Sequence, residues 1–370
     1  MLDGRLVLDC TNALGWLAGR ILADLGAEVV KIDPPGTDRA DPRWLATNVN
    51  KRAITLDPAS PGARETFDRM VAGADMVIAC VRPGSGDDLY DYDRLAAINP
   101  QVIVVAITPF GPRGPRAGWR ASDLELMAAS GAMSLAGEPG GLPVRVSEPQ
   151  SYPWTGAQAA AGALLALNHR HVIGRGQLVE VSAQAAVVTA LAHAPTFWDI
   201  NRTEATRAGA FMTGRSVKGA RYRVFWPCRD GWINFILYGG VAGRRTNEQL
   251  MAWMGEYGHA VGGLAGIDWA RFDPTQCDQA QVDAIEAPIG RFLATLTKRE
   301  FLDGAHRREM LGYPVSNPAD ISADPQLEAR GFWQMGPGPD GKPVRHCGSF
   351  VVVDGQRPPL RVGGRGGAKS

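Results

Sequence analysis

The chain has 370 residues, with 39 Lys and Arg against 38 Asp and Glu, a formal net charge of +1. That balance excludes a surface built as a whole to attract nucleic acid or anionic lipid, and a hydrophobic share of 45% excludes general disorder. The 45 glycines and 26 prolines exceed ordinary usage but follow no Gly-X-Y period, so they belong to turns and close backbone approaches rather than to a collagen helix.

Residues 6–10 (LVLDC) form an apolar run that reads as a strand. Thr11-Asn12 offers a helix start, Leu14, Leu17, Ile21, Leu22 and Leu25 recur at helical spacing, and Gly26 closes that helix. Residues 28–32 (EVVKI) are a second strand, stopped by Asp33-Pro34-Pro35-Gly36. Two more apolar runs, 76–80 (MVIAC) and 102–108 (VIVVAIT), are each followed by proline and glycine. Strand, helix and strand at this spacing predict a parallel sheet with helices on its faces.

The middle changes character. Residues 154–170 predict an Ala-rich helix, Gly174-Arg175-Gly176 turns into a strand at 177–181, and a helix follows at 183–194. Residues 196–219 are polar and irregular, as a linker would be. A hairpin is expected from 222–226 and 232–237 around Arg229-Asp230-Gly231. Helices follow near 247–254, 281–296 and 298–308, giving a smaller α/β unit. Phe225, Trp226, Trp232, Phe235 and Tyr238 crowd the hairpin, either as core or as the lining of an acyl pocket, core packing being the commoner role. The tail from Phe332 holds short strands, and 363–370 is expected to fray.

Several chemistries are not supported. The acid Asp33 follows the second strand, but the first turn offers only Gly15-x-x-x-Gly19, not the dinucleotide fingerprint. There is no P-loop and no G-x-S-x-G elbow. The six histidines form no ligand set, so no metal is expected. The five cysteines show no C-x-x-C pair, and Cys10 and Cys80 end apolar runs as buried, inert thiols. Residues 155–167, the most apolar helical stretch, are too short to span a bilayer, and 1–5 carry charge early. A cytoplasmic location is the expectation.

Other stretches are more specific in combination. They are LDCT at 8–11; LADLGAEVVKI at 22–32 leading to Pro34-Pro35-Gly36; NKRAITLD at 50–57; Arg82-Pro83-Gly84; ITPFG at 107–111 with Gly114-Pro115; and GRGQLVEVS at 174–182. In this order and spacing the chain resembles the family III CoA-transferases, the group that includes formyl-CoA transferase, carnitine CoA-transferase and α-methylacyl-CoA racemase. The resemblance covers residues 5–190 strongly and extends more weakly to about residue 335.

That resemblance implies an α/β fold: a Rossmann-like large domain from both chain ends, a smaller α/β domain between them, and an interlocked dimer. Residues 1–195 would open the large domain, 196–219 link, 220–315 form the small domain and 316–370 return. The implied ligand is coenzyme A, as an acyl-CoA substrate, with a carboxylic acid as the second substrate. Arg39, Lys51, Arg52 and Arg82, with Arg43 beside Arg39 and Gly111 in a strand-end loop, are the candidate CoA contacts, since arginine suits phosphate and such loops bind ligands in open α/β sheets.

The implied nucleophile is a carboxylate in the G-x-G-Q-x-V-D-V-S stretch, where this chain carries Glu180. Its carboxylate would attack the acyl-CoA thioester, and its apolar neighbours predict burial. Two readings stand: Glu180 acts, or the chain is a silent CoA-binding subunit beside a competent one. The partner is accordingly a second copy or a related subunit. A racemase or isomerase is the remaining alternative. It is weakened because Ser122 stands where the racemases of this family carry histidine, while Asp123 is either a site residue near the thioester or a helix cap. Tyr238-Gly239-Gly240 with Gly243 is either a covering loop or a plain turn into a helix, the turn being favoured.

Overall fold

The computed structural model describes residues 1–85, 88–259, 261–339 and 341–361, so residues 363–370 lie outside the described part. The first elements are β1 (Leu6–Cys10), α1 (Trp16–Asp24), β2 (Glu28–Asp33), α2 (Pro42–Asn48), β3 (Arg52–Thr55), α3 (Ala63–Val71), β4 (Met76–Cys80), α4 (Tyr92–Ile98), β5 (Ile103–Thr108), α5 (Asp123–Ala129), α6 (Ser151–Ile173) and β6 (Leu178–Ser182). The six strands pair in the order β3-β2-β1-β4-β5-β6, and every pairing is parallel. This is a doubly wound sheet whose order reverses between β1 and β4.

Register explains why the strands are apolar throughout. Val29, Val7, Met76 and Ile103 form one cross-strand row. That row packs with Leu22 of α1 and Ala159 and Ala163 of α6. One residue on, Val30, Leu8, Val77 and Val104 form the opposite row, against Phe67 and Val71 of α3 and Leu95 of α4. Alternate residues face opposite sides, so a strand covered on both faces must be apolar at each position. Each fully buried aliphatic side chain contributes about 1.5–3 kcal/mol.

Helix α6 presents Gly156, Ala159, Ala160 and Ala163 as a narrow buried stripe. A Cβ at Gly156 would lie 2.8 Å from Leu17 Cβ, so the small residue lets α1 approach. The helix ends at Gly174, left-handed at φ 68. A Cβ at Gly176 would overlap the Val102 carbonyl.

The remaining elements are α7 (Ala183–Ala190), α8 (His193–Asn201), β7 (Phe211–Met212), β8 (Tyr222–Arg223), β9 (Phe225–Cys228), β10 (Gly231–Asn234), α9 (Gly240–Glu256), α10 (Gln279–Leu293), α11 (Lys298–Arg307), β11 (Tyr313–Pro314), α12 (Pro318–Ser322), α13 (Pro325–Ala329), β12 (Trp333–Pro337) and β13 (Pro343–Cys347). The chain divides into two compact units. The first holds Met1–Ser134, Arg145–Ala205 and the segment from Asp324; the second holds Leu135–Val144 and Thr206–Ala323.

The stretch expected as a linker is structured in part. Helix α8 occupies its start, with no buried residue, which is why polarity alone concealed it. Phe211–Met212 pairs with Tyr222–Arg223. In the second unit, β9, β10 and β11 form an antiparallel sheet. Its core gathers Trp226, Phe235, Trp253, Phe292 and Phe301, whereas Phe225 and Trp232 are exposed. Gly239 precedes α9 as its N-cap, so the glycine cluster is a helix entry.

The final segment is tied to the rest of the first unit by arginines. Arg20 donates to the Cys347 carbonyl at 2.7 Å, and Arg361 donates to the carbonyls of Ala23, Gly26 and Ala27.

Candidate functional site

Two neighbouring clefts open at the C-terminal ends of the parallel strands, where open α/β sheets bind ligands. One, about 260 Å³, lies at the reversal of strand order and is lined by Thr11, Trp16, Asp33, Pro34, Leu56 and Phe67, among others. The second, about 470 Å³, is lined by Arg82, Pro83, Tyr92, Thr108, Pro112, Leu178 and Glu180. Cys80 and Tyr90 line both. Burial pushes the thiols of Cys10 and Cys80 up to about 12, so both stay protonated at neutral pH.

Beneath the first cleft sits a buried charge network. Lys51 Nζ donates to Asp9 Oδ2, the Trp16 carbonyl and Asn48 Oδ1, each at 2.7 Å. Lys31 pairs with Asp33 at 2.9 Å and donates to the Thr11 carbonyl at 2.7 Å. Burial works to raise the Asp9 carboxyl, but Lys51 and Lys31 outweigh it and hold Asp9 below its ordinary value. Burial lowers Lys51 to about 8 against the pull of Asp9. All four charges are satisfied inside the fold.

The proposed cations therefore separate. Lys51 has its three donors engaged and is shut from solvent, so it offers nothing to a phosphate. Arg52 begins β3 and pairs with Glu28, the first residue of β2, at 3.6 Å. In a parallel sheet both mark the strand entrances, the end opposite the clefts. Adjacent in sequence, Lys51 and Arg52 serve the frame. Arg43 pairs with Glu148 on the surface.

Arg82 lines the second cleft, and Arg39 stands at the C-terminal ends of β2 and β3. Arg39 holds Asp33 at 2.9 Å and donates through Nη2 to the Ile54 carbonyl and Thr55. Its Nη1 makes no hydrogen bond among the described residues, and a third of the side chain is exposed. Arg82 is exposed in the loop after β4 and makes no ion pair among the described residues. Gly111, at φ 99, turns the loop after β5 while its N–H donates to Thr108 Oγ1 at 2.8 Å.

Glu180 lies mid-strand on β6. Val179 and Val181 turn into the core, so Glu180 and Leu178 face the other way and are exposed. The apolar flanks suggested burial; the alternation reverses that expectation. The Glu180 side chain is 33% exposed and pairs at 3.1 Å with Arg113, itself 85% exposed. Arg113 carries no periodic signal in the sequence, a lone arginine between Pro112 and Gly114 in the loop after β5.

Asp123 is 9% exposed at the start of α5. Its Oδ1 accepts from the Gln150 and Ser151 backbone N–H groups and from Ser151 Oγ, each at 2.8 Å. It thus caps the free N–H groups at the start of α6. Its own N–H donates to the Tyr152 hydroxyl at 3.3 Å. Ser122 caps α5 in a reciprocal box with Glu125. Among the described residues no set of three or more His, Cys, Asp or Glu side chains could hold a metal, and no described helix is long and apolar enough to cross a membrane.

Comparison with known proteins is consistent along the whole chain. The family model CoA-transferase family III matches residues 2–363. The chain is 31% identical over 353 residues to the succinyl-CoA:(R)-benzylsuccinate CoA-transferase subunit BbsE of Thauera aromatica, covering 89% of this chain and 82% of that one. It is 28% identical to a succinate–glutarate CoA-transferase of Agrobacterium fabrum, covering 90% and 84%. The crystal structure of a CAIB/BAIF family protein from Brucella suis superposes with a TM-score of 0.83 at 26% identity, covering 98% and 95%.

Proposed function

The chain belongs to CoA-transferase family III, and from that premise we propose that it serves transfer of CoA between an acyl-CoA and a carboxylic acid as one subunit of a heteromer. The related partner subunit would supply the nucleophile. The observation that carries this reading is the state of the two candidate carboxylates. Asp123 is engaged as a helix cap, and in the single chain a third of the Glu180 side chain is open to water beside an exposed arginine.

The chemistry makes that state matter. A carboxylate attacks the thioester carbonyl, the C–S bond breaks, and CoA thiolate leaves behind an acyl–enzyme anhydride. The thiolate then attacks the enzyme side of the anhydride, releasing the first acid and leaving an enzyme–CoA thioester. The acceptor carboxylate takes the next turn. An anhydride is hydrolysed wherever water reaches it, so the nucleophile belongs in a water-excluding site. The resemblance to a chain named as a subunit supports the same reading.

The residues fit CoA to a defined extent. Arg82 and the unengaged edge of Arg39 could meet phosphate, and the apolar walls of Trp16, Leu56 and Phe67 suit a purine. A second reading keeps Glu180 as nucleophile. It is favoured by one observation: Glu180 lines the same cleft as Arg82. A racemase is less well supported, because Ser122 and Asp123 both hold helix ends.

The test is trapping. The purified chain is incubated with succinyl-CoA and a panel of other acyl-CoAs, then with hydroxylamine, and modified residues are mapped by mass spectrometry. The heteromer reading expects no modification and no exchange by the chain alone, with exchange appearing when a second subunit is added. Modification at Glu180, abolished by Glu180→Gln, would move the nucleophile here. Exchange of the α-proton without acyl exchange would establish the isomerase branch.

A further inference from the structure

The second unit carries a cleft that the CoA chemistry leaves unexplained. Arg221, just before β8, and Arg223, its last residue, lie two residues apart and share one face, both over Phe211, while Tyr222 turns into the core. Phe211, the cross-strand partner of Arg223, lies under both guanidinium groups, at 4.5 Å from Arg221 and 4.7 Å from Arg223. Arg223 also stands 5.6 Å from the Trp226 ring. Helix α10 supplies the facing wall through Gln279, Asp283, Glu286 and Gly290. The enclosed space is about 490 Å³, within the range of small-molecule sites.

The charges here are arranged unusually. Neither arginine forms an ion pair among the described residues. Glu286, 7% exposed, lies within the same cleft, accepts the Arg223 backbone N–H at 2.7 Å and feels the Arg223 charge without forming an ion pair with it. Asp283 accepts from Gln279 at 2.8 Å. The aromatic rings hold both guanidinium groups in place, and a planar fork in no ion pair can take a carboxylate from a ligand. The apolar side is planar too, with Phe211, Trp226 and Pro227.

We infer that this cleft binds a small aromatic carboxylate, its carboxylate held by Arg221 and Arg223 and its ring against Phe211 and Trp226. The site is independent of the CoA reading, since no residue of the strand-end clefts takes part. Arg221 and Arg223 give affinity and orientation. Glu286 opposes the anion when ionised, so its neutral isostere should bind more tightly.

The test uses benzoate as probe with the full chain, by isothermal titration calorimetry. Saturable binding near one site per chain is expected, with acetate and inorganic phosphate each at least about tenfold weaker because they lack the ring. Arg221→Gln, which removes a guanidinium that makes no hydrogen bond among the described residues, should weaken benzoate about tenfold, and Arg223→Gln by at least as much. Glu286→Gln should bind as tightly or more so. Absence of saturable benzoate binding would overturn the inference. So would phosphate binding as strongly as benzoate, which describes an unspecific cation patch, or Arg221→Gln binding unchanged in a folded protein. Acyl exchange is read separately, so failure here leaves the transferase reading untouched, and the reverse.

Discussion

Lys51 and Asp9 meet at 2.7 Å with both side chains closed to solvent, joining the start of β3 to the end of β1. Removing one member of a buried pair strands the other charge, at about 3–5 kcal/mol. Lys51→Met should destabilise the chain by that amount in equilibrium urea unfolding. The double variant Asp9→Asn with Lys51→Met should lose clearly less than the sum of the singles. Additive losses would show that the two residues act separately.

Glu286 gives a pH signature. Burial raises its carboxyl from 4.5 to about 7, so the folded chain holds this proton where the unfolded chain releases it. The unfolded state binds fewer protons between about pH 4.5 and 7, and the group's contribution to stability falls as pH rises through that window, then levels off. Denaturation at pH 5 and 7.5 should show the parent losing stability relative to Glu286→Gln. A constant difference between the two proteins would count against the burial argument.

Gly176 admits no side chain. A methyl there would overlap the Val102 carbonyl, which is backbone and cannot swing aside. Gly176→Ala should cost about 3 kcal/mol, the upper part of the usual range for overpacking. Gly73→Ala has open space around it and no positive φ, and should be neutral or slightly stabilising. Thermal denaturation of the two variants side by side checks the contrast.

Asp123→Ala removes three acceptor contacts at the start of α6. A loss of about 2 kcal/mol is expected, with Asp123→Asn keeping part of it. Calorimetric unfolding reads the effect. A fully stable Asp123→Ala protein would reopen a chemical role for this residue.

Glu180→Gln separates the functional readings in an assembled transferase. If the partner subunit carries the nucleophile, exchange should stay within a few-fold of the parent. If Glu180 is the nucleophile, the loss should exceed about a thousandfold. Steady-state exchange with succinyl-CoA as donor decides between them.

The frame was readable because β1, β2, β4 and β5 are buried on two faces, and such strands show as largely apolar runs. Residues 6–10 and 76–80 coincide with β1 and β4. Helices α2, α3 and α4 escaped because they are short and present a single buried side, with Leu95 alone buried in α4. The site was legible only in part. Arg39, Arg82 and Gly111 do flank the strand ends, but the Lys51-Arg52 dipeptide gave no hint that one ammonium would be consumed by Asp9 and the other cation set at the far end of the sheet. Which face of β6 is covered, and so whether Glu180 is wet, depends on packing by residues far away in the chain. The Arg221–Phe211–Glu286 cleft joins segments more than fifty residues apart, so its closure depends on long-range packing.

The clasp of Arg20 on Cys347 and of Arg361 on the first helix has a consequence for biosynthesis. The partners are separated by 327 or more residues, so these hydrogen bonds cannot form while the distal segment is still inside the ribosome. At typical elongation rates the parallel sheet, complete by Ser182, waits for this clasp on the order of ten seconds or longer. Throughout that interval the carbonyls at the end of α1 hold water in place of the arginines.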